Sequence, residues 1–228
     1  MARNQKERPG IKILTPEQER FLDIVSSEKF LRERFYFTGG TPLAAFYLYH
    51  RLSEDIDLFS EDEINISAVQ AFIKKTQKLL HVSKVEYTNF LGLHSFQLFF
   101  STKRILKVDF NYYPFPRIEN GMMYKNIIVD SIFDIAVNKV QTVATRVRAR
   151  DFIDLYFIMR EKRYVFSELL KMARIKFDWY TDPIQLGSRL LQAQEVKDFP
   201  RMLKPIDHTE WQNFFVEEAK KLKSDIIS

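Results

Sequence analysis

The sequence predicts an α+β fold, in which a mixed β-sheet flanked by helices is followed by a lobe of helices. Short apolar and aromatic stretches with strand character recur between residues 35 and 113, and helical patterns separate them. From residue 130 onward the strand signals stop and helical periodicity takes over. Hydrophobic residues make up 46% of the 228 residues, which is enough for a core and argues against disorder.

The first half of the chain alternates helices and strands. Thr15 is suited to cap the first helix, with Pro16 in its first turn. Thr41-Pro42 repeats this pattern directly after Gly39-Gly40. The predicted elements are, in order, helix 15–33, strand 35–37, helix 43–49, strand 55–59, helix 67–80, and strands 82–90, 95–101 and 107–113. A strand, a glycine turn and a helix therefore precede the second strand.

The second half is predicted to be helical. Its helices are expected at about residues 131–147, 151–161, 166–176, 184–194 and 208–224. Pro114, Pro116 and Gly121 interrupt regular structure between the two halves. We therefore predict a first domain of residues 1–122 and a helical second domain of residues 123–228.

The composition excludes several kinds of site. A net charge of +5 and a pI near 9.2 permit an anionic partner, although 35 basic against 30 acidic residues is a mild excess. The absence of cysteine excludes disulfides and thiolate metal sites, and the four histidines show no zinc-binding spacing. The expected metal is therefore one that oxygen atoms bind.

Nothing in the sequence indicates a membrane protein. The segment Met1–Gly10 is basic and lacks the apolar stretch of a secretory signal. No run approaches the ~20 apolar residues of a membrane span. A cytoplasmic location is the expectation.

Two carboxylates, Asp55 and Asp57, are the most informative feature of the chain. On a strand they project to one face, while Ile56 and Leu58 point to the other face and into a core. Adjacent carboxylates repel each other unless a cation lies between them, and Mg²⁺ is the usual oxygen-bound ion of nucleotide chemistry. The pair therefore indicates phosphoryl or nucleotidyl transfer, although a turn or a solvated strand edge would also accommodate these residues.

Asp109 is a candidate third carboxylate. It lies between apolar residues on a predicted strand, where an acid is costly to bury without a cation or donors. Three carboxylates on adjacent strands can hold two Mg²⁺ ions, one at the triphosphate and one at the attacking hydroxyl. Asp109 is also placed to accept the proton of that hydroxyl.

The turn Gly39-Gly40-Thr41 is a candidate phosphate site. Glycines allow a ligand to approach the backbone closely, and the free amides of a helix start attract phosphate. A tight turn without a ligand is the alternative. The nearby acidic pair favours the phosphate interpretation.

The helical half supplies further candidates in Lys139, Arg146 and Asp151. A lysine can bind phosphates as a point charge, and an arginine can bind them with two parallel hydrogen bonds. These residues could therefore close the site over a triphosphate. Complementation of a helix dipole and simple ion pairs, which could include Arg150 and Asp154, are the alternatives.

Three other residues are of interest. His50 ends the helix after the glycine turn, where a structural role is the simpler interpretation. Tyr112 and Tyr113 follow Asp109 and could stack on a base or ribose, although most aromatics are core residues.

Four separated motifs together resemble the AbiEii/AbiGii toxin family of nucleotidyltransferases. They are Phe37-Thr-Gly-Gly-Thr-Pro-Leu43, Arg51-Leu-Ser-Glu-Asp-Ile-Asp-Leu-Phe59, Lys107-Val-Asp109, and Lys139 with Arg150-Asp-Phe-Ile-Asp-Leu-Tyr156. The resemblance spans residues 35–160 and implies the DNA polymerase β-like nucleotidyltransferase fold, with a twisted mixed sheet and a helical lobe. It also implies a toxin of a type IV toxin–antitoxin or abortive-infection system.

The resemblance assigns roles to the candidate residues. Binding of the nucleotide is implied for Gly39, Gly40, Thr41, Arg51, Ser53, Lys139 and Arg146. Asp55 and Asp57 would ligate Mg²⁺, Asp109 matches the third carboxylate of the wider fold, and Lys139 and Asp151 would complete the active site.

The expected reaction is transfer of a nucleoside monophosphate from an NTP to a hydroxyl of RNA, in particular the 3′ end of tRNA, or of a protein. A cognate antitoxin is a further expected partner. Two alternatives stay open, namely an inactive nucleotidyltransferase fold that only binds nucleotide or a partner protein, and a metal-dependent nuclease.

Overall fold

The computed structural model describes residues 13–222, so the basic segment Met1–Gly10 and residues 223–224 of the last predicted helix lie outside it. The helices and strands of the first part are α1 (Pro16–Ser27), α2 (Lys29–Arg34), β1 (Tyr36–Thr38), α3 (Gly40–Pro42, continuing as a π-helix over Leu43–Leu48), β2 (Ile56–Ser60), α4 (Ile66–Leu79), β3 (Val82–Phe90), β4 (Leu93–Phe100), β5 (Ile105–Tyr112), β6 (Met122–Tyr124) and β7 (Ile127–Val129). The second part comprises α5 (Ile132–Thr145), α6 (Ala149–Lys162), α7 (Phe166–Phe177), α8 (Pro183–Leu191) with a 3₁₀ turn (Gln192–Gln194), and α9 (His208–Lys221).

Within the described residues, the strands form one mixed seven-stranded sheet in the order β3-β4-β5-β2-β1-β7-β6. Strand β2 pairs in parallel with β5 and antiparallel with β1, so these three strands lie at the centre. Their apolar side chains pack with α1 and α4 into one core, in which Phe21, Phe37, Phe96 and Phe110 are fully buried or nearly so. The mixed sheet flanked by helices agrees with the predicted α+β class.

The sheet extends beyond the predicted domain boundary at residue 122. Strand β7 pairs in parallel with β1, and β6 forms a hairpin with β7. These two strands were not predicted. Each is three residues long, too short to show a recognisable alternation of apolar and polar residues.

A second core lies between helices α5 to α9. Trp211, Phe152 and Phe215 are completely buried there and pack ring against ring. Leu43 and Leu48 of α3 belong to this core, whereas Phe46 of the same helix packs against the sheet core. Helix α3 therefore connects the two cores.

Two local expectations differ from the structure. The single helix predicted over residues 15–33 is divided at Glu28, whose extended backbone ends α1 and begins α2. Thr41 does not cap α3, because Gly39 occupies the cap position and Thr41 lies inside the helix. Thr15 does cap α1, and its hydroxyl accepts a hydrogen bond from the amide of Gln18.

None of the helices within residues 13–222 has the length and apolar character needed to cross a membrane.

Candidate active site

A cleft of about 390 Å³ lies between the central strands and helices α5 and α6. Its wall includes most of the residues predicted from the sequence, namely Gly39, Gly40, Arg51, Ser53, Asp55, Asp57, Asp109, Lys139, Arg146 and Asp151. Thr41 is completely buried behind this wall. Residues that are far apart in the sequence therefore meet at one place in the fold.

The pairing of β2 with β5 positions two of the carboxylates. Asp57 and Asp109 are direct partners in this parallel pair, so their side chains project to the same face of the sheet. Asp55 lies one residue before β2 and reaches the same cleft. Ile56 and Leu58 are completely buried on the opposite face, as the alternation predicts.

Asp57 has an unusual environment for a carboxylate. Its pKa is raised to about 7, first by burial and then by the neighbouring charges of Asp109 and Asp55, against the opposing effect of Lys107 and Lys139. Each ionised carboxylate in this group thus makes ionisation of its neighbours less favourable. A bound cation would relieve this repulsion.

The other two carboxylates have basic neighbours. The ammonium group of Lys107 lies 2.6 Å from Oδ2 of Asp109, and a guanidinium nitrogen of Arg150 lies 3.8 Å from Oδ2 of Asp55. Oδ1 of Asp109 is buried and has no hydrogen-bond partner among residues 13–222. This oxygen can take a metal ion or a proton.

The three carboxylates do not form a preformed metal cage. Within the described part of the chain, no three histidine or acidic side chains converge closely enough to hold an ion. The oxygen donors, their mutual repulsion and the unpartnered Oδ1 of Asp109 nevertheless fit a hard divalent cation. Asp55, Asp57 and Asp109 are the residues that would hold it.

The glycine turn lies directly against the acidic pair. Gly39 has a φ of +84°, and a Cβ atom at this position would lie 2.5 Å from Oδ2 of Asp57. A Cβ atom on Gly40 would lie 2.2 Å from a guanidinium nitrogen of Arg51. Both glycines are therefore required for close packing of the turn against the carboxylate and the guanidinium.

Thr41 and Ser53 fix this turn relative to β2. The hydroxyl of Thr41 donates to Oγ of Ser53 at 2.8 Å or to the carbonyl oxygen of Asp55. The carbonyl oxygen of Ser53 accepts a hydrogen bond from Gln18 of α1. Thr41 thus holds the acidic segment from behind, without reaching the cleft.

Lys139 is buried and bonded to two carboxylates. Its ammonium group lies 2.6 Å from Oδ1 of Asp151 and 2.7 Å from Oδ2 of Asp154. Arg51 forms a two-pronged pair with Asp154, at 2.6 and 2.8 Å, and His50 adds a hydrogen bond of 2.8 Å. Lys139 is therefore held in place by Asp151 and Asp154, although it still borders the cleft.

Positive neighbours lower the pKa of both carboxylates in this network. Burial alone would raise the pKa of Asp154, but Arg51 and Lys139 hold it well below its ordinary value. The pKa of Asp151 is also lowered, because Lys139 and Arg146 outweigh the effect of burial. Both carboxylates are therefore ionised at neutral pH.

Asp154, Lys107 and Arg150 were not predicted as site residues. Asp154 follows Asp151 by one helical turn, and Lys107 precedes Asp109 by two strand positions, so both spacings place the pairs on one face. Helical and strand periodicity could have identified these two partners. The approach of Arg150 to Asp55 depends on tertiary packing and has no comparable signal.

The remaining candidates divide clearly. Tyr113 borders the cleft, whereas Tyr112 does not line it. Tyr112 is partly exposed and lies beside Gly92, where a Cβ atom added to the glycine would be 3.4 Å from Cβ of Tyr112. His50 is completely buried and bonded to Asp154, which agrees with a structural role. Thr38, the partner of Asp57 across β1 and β2, donates to the buried Asp130.

Comparison with known proteins identifies the family. The model of the family described as "Nucleotidyl transferase AbiEii toxin, Type IV TA system" matches residues 20–222. The chain belongs to the AbiEii nucleotidyltransferase toxin family. The match extends well beyond residues 35–160, on which the resemblance was based, and includes most of the helical half. This AbiEii-family protein is therefore a nucleotidyltransferase.

The AbiEii-family protein is similar to single proteins over most of its length. An uncharacterised protein of Aquifex aeolicus (strain VF5) is 31% identical over 166 residues, which is 72% of this chain and 76% of the relative. A Helicobacter pylori structure assigned to the nucleotidyltransferases superimposes with a TM-score of 0.59 at 19% identity and covers 93% of this chain and 97% of its own. MenT4, a nucleotidyltransferase toxin of Mycobacterium tuberculosis H37Rv, has a TM-score of 0.54 at 15% identity and covers 91% of this chain and 82% of its own. The two structures support the nucleotidyltransferase fold.

Proposed function

We propose that this AbiEii-family protein is a Mg²⁺-dependent enzyme that transfers a nucleoside monophosphate from an NTP to a hydroxyl of RNA. The expected acceptor is the 3′ end of tRNA, and pyrophosphate is the leaving group. As the toxin of a type IV system it would have a cognate antitoxin as its partner. A hydroxyl of a protein is the second acceptor to be tested.

One observation carries this proposal. Asp57 and Asp109 lie side by side on parallel strands, with Asp55 beside them and the backbone of Gly39 against Asp57. Carboxylates suited to a divalent ion thus border a turn that a phosphate chain can approach closely. Nucleotidyl transfer needs both features at one place.

The residues of the cleft can then be given roles. The turn at Gly39 and Gly40 would receive the triphosphate, and Asp55, Asp57 and Asp109 would hold Mg²⁺. When bound, the ion neutralises phosphate charge and lowers the pKa of the attacking hydroxyl. Asp109 would also accept the proton of that hydroxyl.

Basic residues of the helical half would complete the site. Arg146 and Arg150 keep about half of their side chains exposed, at 57% and 40%, and border the cleft, where they can contact phosphate oxygens. Lys139, fixed by Asp151 and Asp154, contributes a positive charge to the same wall. Positioning and charge neutralisation would supply most of the rate enhancement.

The test is a transfer assay with total tRNA, each labelled NTP in turn, and Mg²⁺. The wild-type protein should lengthen an RNA and release pyrophosphate, and EDTA should stop the reaction. Asp55→Asn or Asp57→Asn should abolish transfer, because the amide removes a charged oxygen donor. Asp178→Asn is the matched control, since Asp178 is exposed and its left-handed backbone accommodates asparagine.

The same assay separates the alternatives. Shortened RNA would identify a nuclease, and calorimetric binding of NTP without release of pyrophosphate would identify a binding module. Full transfer activity in Asp57→Asn would contradict the proposed role of the carboxylates.

A further inference from the structure

We infer that a second pocket, which opens beside the catalytic cleft, binds the single-stranded end of the acceptor RNA. The pocket has a volume of about 310 Å³ and shares Arg51, Ser53, Asp55 and Arg150 with the cleft. Its outer wall is the segment Asp198–Arg201, which precedes α9. The inference rests on the proposed function, because it assigns a place to the acceptor of that reaction.

The location of the pocket fits an acceptor strand. The acceptor hydroxyl must reach the carboxylates from a side that the triphosphate does not fill. The glycine turn that suits the triphosphate lies within the main cleft, whereas the second pocket reaches Asp55 from the surface. A strand that enters this pocket would bring its terminal nucleotide to Asp55.

The charges of the pocket fit the phosphates of a nucleic acid. The pocket is lined by the arginines Arg51, Arg148, Arg150 and Arg201 and by the acids Glu54, Asp55 and Asp198. Arg148 is paired with Asp198 at 2.6 Å. Arg150 approaches Asp55 no closer than 3.8 Å, and among residues 13–222 no carboxylate forms a salt bridge with the exposed Arg201. Arg201 is therefore available for phosphate oxygens of the RNA, and Arg150, which lines both the pocket and the cleft, can contact phosphate oxygens on either side.

An aromatic platform lies in the same wall. Phe199 is stacked on His208, with a ring-centroid distance of 3.8 Å and an angle of 21°, and remains 42% exposed. Unpaired bases stack on such rings, whereas bases within a duplex are not available for stacking. The combination of an exposed aromatic ring and arginines therefore favours a single-stranded end.

The pocket is held in place before any ligand binds. The amide of Leu52 donates to the carbonyl oxygen of Arg201 at 2.9 Å, and Arg51 and Met202 form a β-bridge. Asp198 also accepts a hydrogen bond from the amide of Ala149 at the start of α6. The wall that carries Phe199 and Arg201 is thus tied to the segment that carries Asp55.

The test measures RNA binding and transfer separately. A short single-stranded RNA, labelled at its 5′ end, is titrated into the full-length protein without NTP, and fluorescence anisotropy is followed over a series of salt concentrations. Phe199→Ala should raise the Kd about five- to a hundredfold, the range expected for loss of one stacked base. Arg201→Ala should also raise the Kd, and should reduce the slope of log K against log salt by about 0.7.

Matched controls lie on other surfaces. Tyr180→Ala removes an aromatic ring that is 85% exposed, and Arg34→Ala removes an exposed arginine in α2. Neither residue lines the pocket, so both variants should bind RNA like the wild type. Phe199→Leu, which keeps most of the apolar volume, separates loss of stacking from loss of folding.

The transfer assay then gives a second, independent measurement. Arg201→Ala and Phe199→Leu should raise the KM for the acceptor RNA and leave the KM for NTP unchanged. A change in the KM for NTP alone, or wild-type RNA binding in both variants, would overturn the inference. If the wild type binds RNA in a manner dependent on Arg201 but transfers nothing, the proposed function fails and the RNA pocket stands.

Discussion

At the scale of single residues, Asp154 is a completely buried carboxylate that is surrounded by positive charge. Its two oxygens accept hydrogen bonds from His50 and Arg51 and form an ion pair with Lys139, and all four side chains are buried. A buried carboxylate of this kind is stable only while its cations are present, and the cations likewise depend on it. His50, Arg51 and Lys139 therefore all depend on the carboxylate of Asp154.

Replacement of Asp154 by Asn should destabilise the protein by about 3–5 kcal/mol, because it leaves buried positive charge uncompensated. Urea unfolding measures this change. Glu161→Gln is the control, since the pair of Glu161 with Lys204 is partly exposed and should contribute no more than about 1 kcal/mol. Equal stability of the two variants would show that the buried network does not hold the fold together.

Asp130 provides a prediction about pH. Burial raises its pKa from 3.8 to about 7, against the effect of the hydrogen bond from Thr38. Since the pKa is higher in the folded state, the contribution of Asp130 to stability is complete below pH 3.8 and is lost as the pH rises to about 7. Asp130→Asn removes this titration.

The difference in free energy of unfolding between Asp130→Asn and the wild type should therefore rise across that interval and stay constant above it. Using the difference cancels titrations that the two proteins share, including that of Asp57. Urea unfolding at a series of pH values measures it. A difference that does not vary with pH would mean that Asp130 has the same pKa in the folded and unfolded protein, so that burial does not raise it.

At the scale of elements, the turn between β1 and α3 determines the shape of the site. Gly39→Ala should abolish nucleotide transfer, because the new Cβ would collide with Asp57 and the backbone conformation disfavours any side chain. We expect a loss of at least about 1 kcal/mol of stability as well. Transfer assays and urea unfolding give the two measurements.

Gly187 offers the matched control for Gly39. It lies inside α8, and a Cβ atom there would have no neighbour within 4 Å. Gly187→Ala should therefore keep full activity and gain about 0.5–1 kcal/mol, since alanine favours a helix. Similar behaviour of both alanine variants would contradict the requirement for glycine at position 39.

The elements also show what the sequence could predict. The alternation of Asp55, Ile56, Asp57 and Leu58 was sufficient to place two acids in one cleft, because strand periodicity alone determines the faces. The division of the first helix at Glu28 and the short strand β7 depend on tertiary contacts that local patterns do not contain. The pairing of charged residues that are distant in the sequence also depends on tertiary contacts.

Lys139 illustrates this last limit. Its position on the cleft wall follows from helical spacing, but its bonds to Asp151 and Asp154 arise only when α5 packs on α6. A sequence identifies a charged residue, and the fold decides how many partners it has. The assignment of Lys139 as a free phosphate ligand therefore stays a prediction, whereas its structural pairing is observed.

At the scale of the whole molecule, the sheet half and the helical half are closely connected. Leu43 and Leu48 extend from α3 into the helical core, and Phe46 packs on the sheet core. The carbonyl oxygen of His50 accepts hydrogen bonds from the amides of Leu203 and Lys204, at 2.8 and 3.0 Å. The cleft that holds the candidate site lies at this junction, so its geometry depends on both halves.

This connection predicts that the two halves unfold together. Both tryptophans of the chain, Trp179 and Trp211, lie in the helical half, so their fluorescence reports on that half alone. Amide hydrogen exchange in β2 and β5 reports on the sheet.

Leu48→Ala should destabilise the protein by about 2–5 kcal/mol, because it leaves a cavity between the helices. In this variant, the denaturant concentration at which the tryptophan signal changes and the one at which exchange in β2 and β5 becomes fast should fall by the same amount, because α3 connects the two cores. A tryptophan transition that moves while exchange in β2 and β5 stays at its wild-type value would show that the halves are independent folding units, and that the cleft can open without unfolding of the sheet.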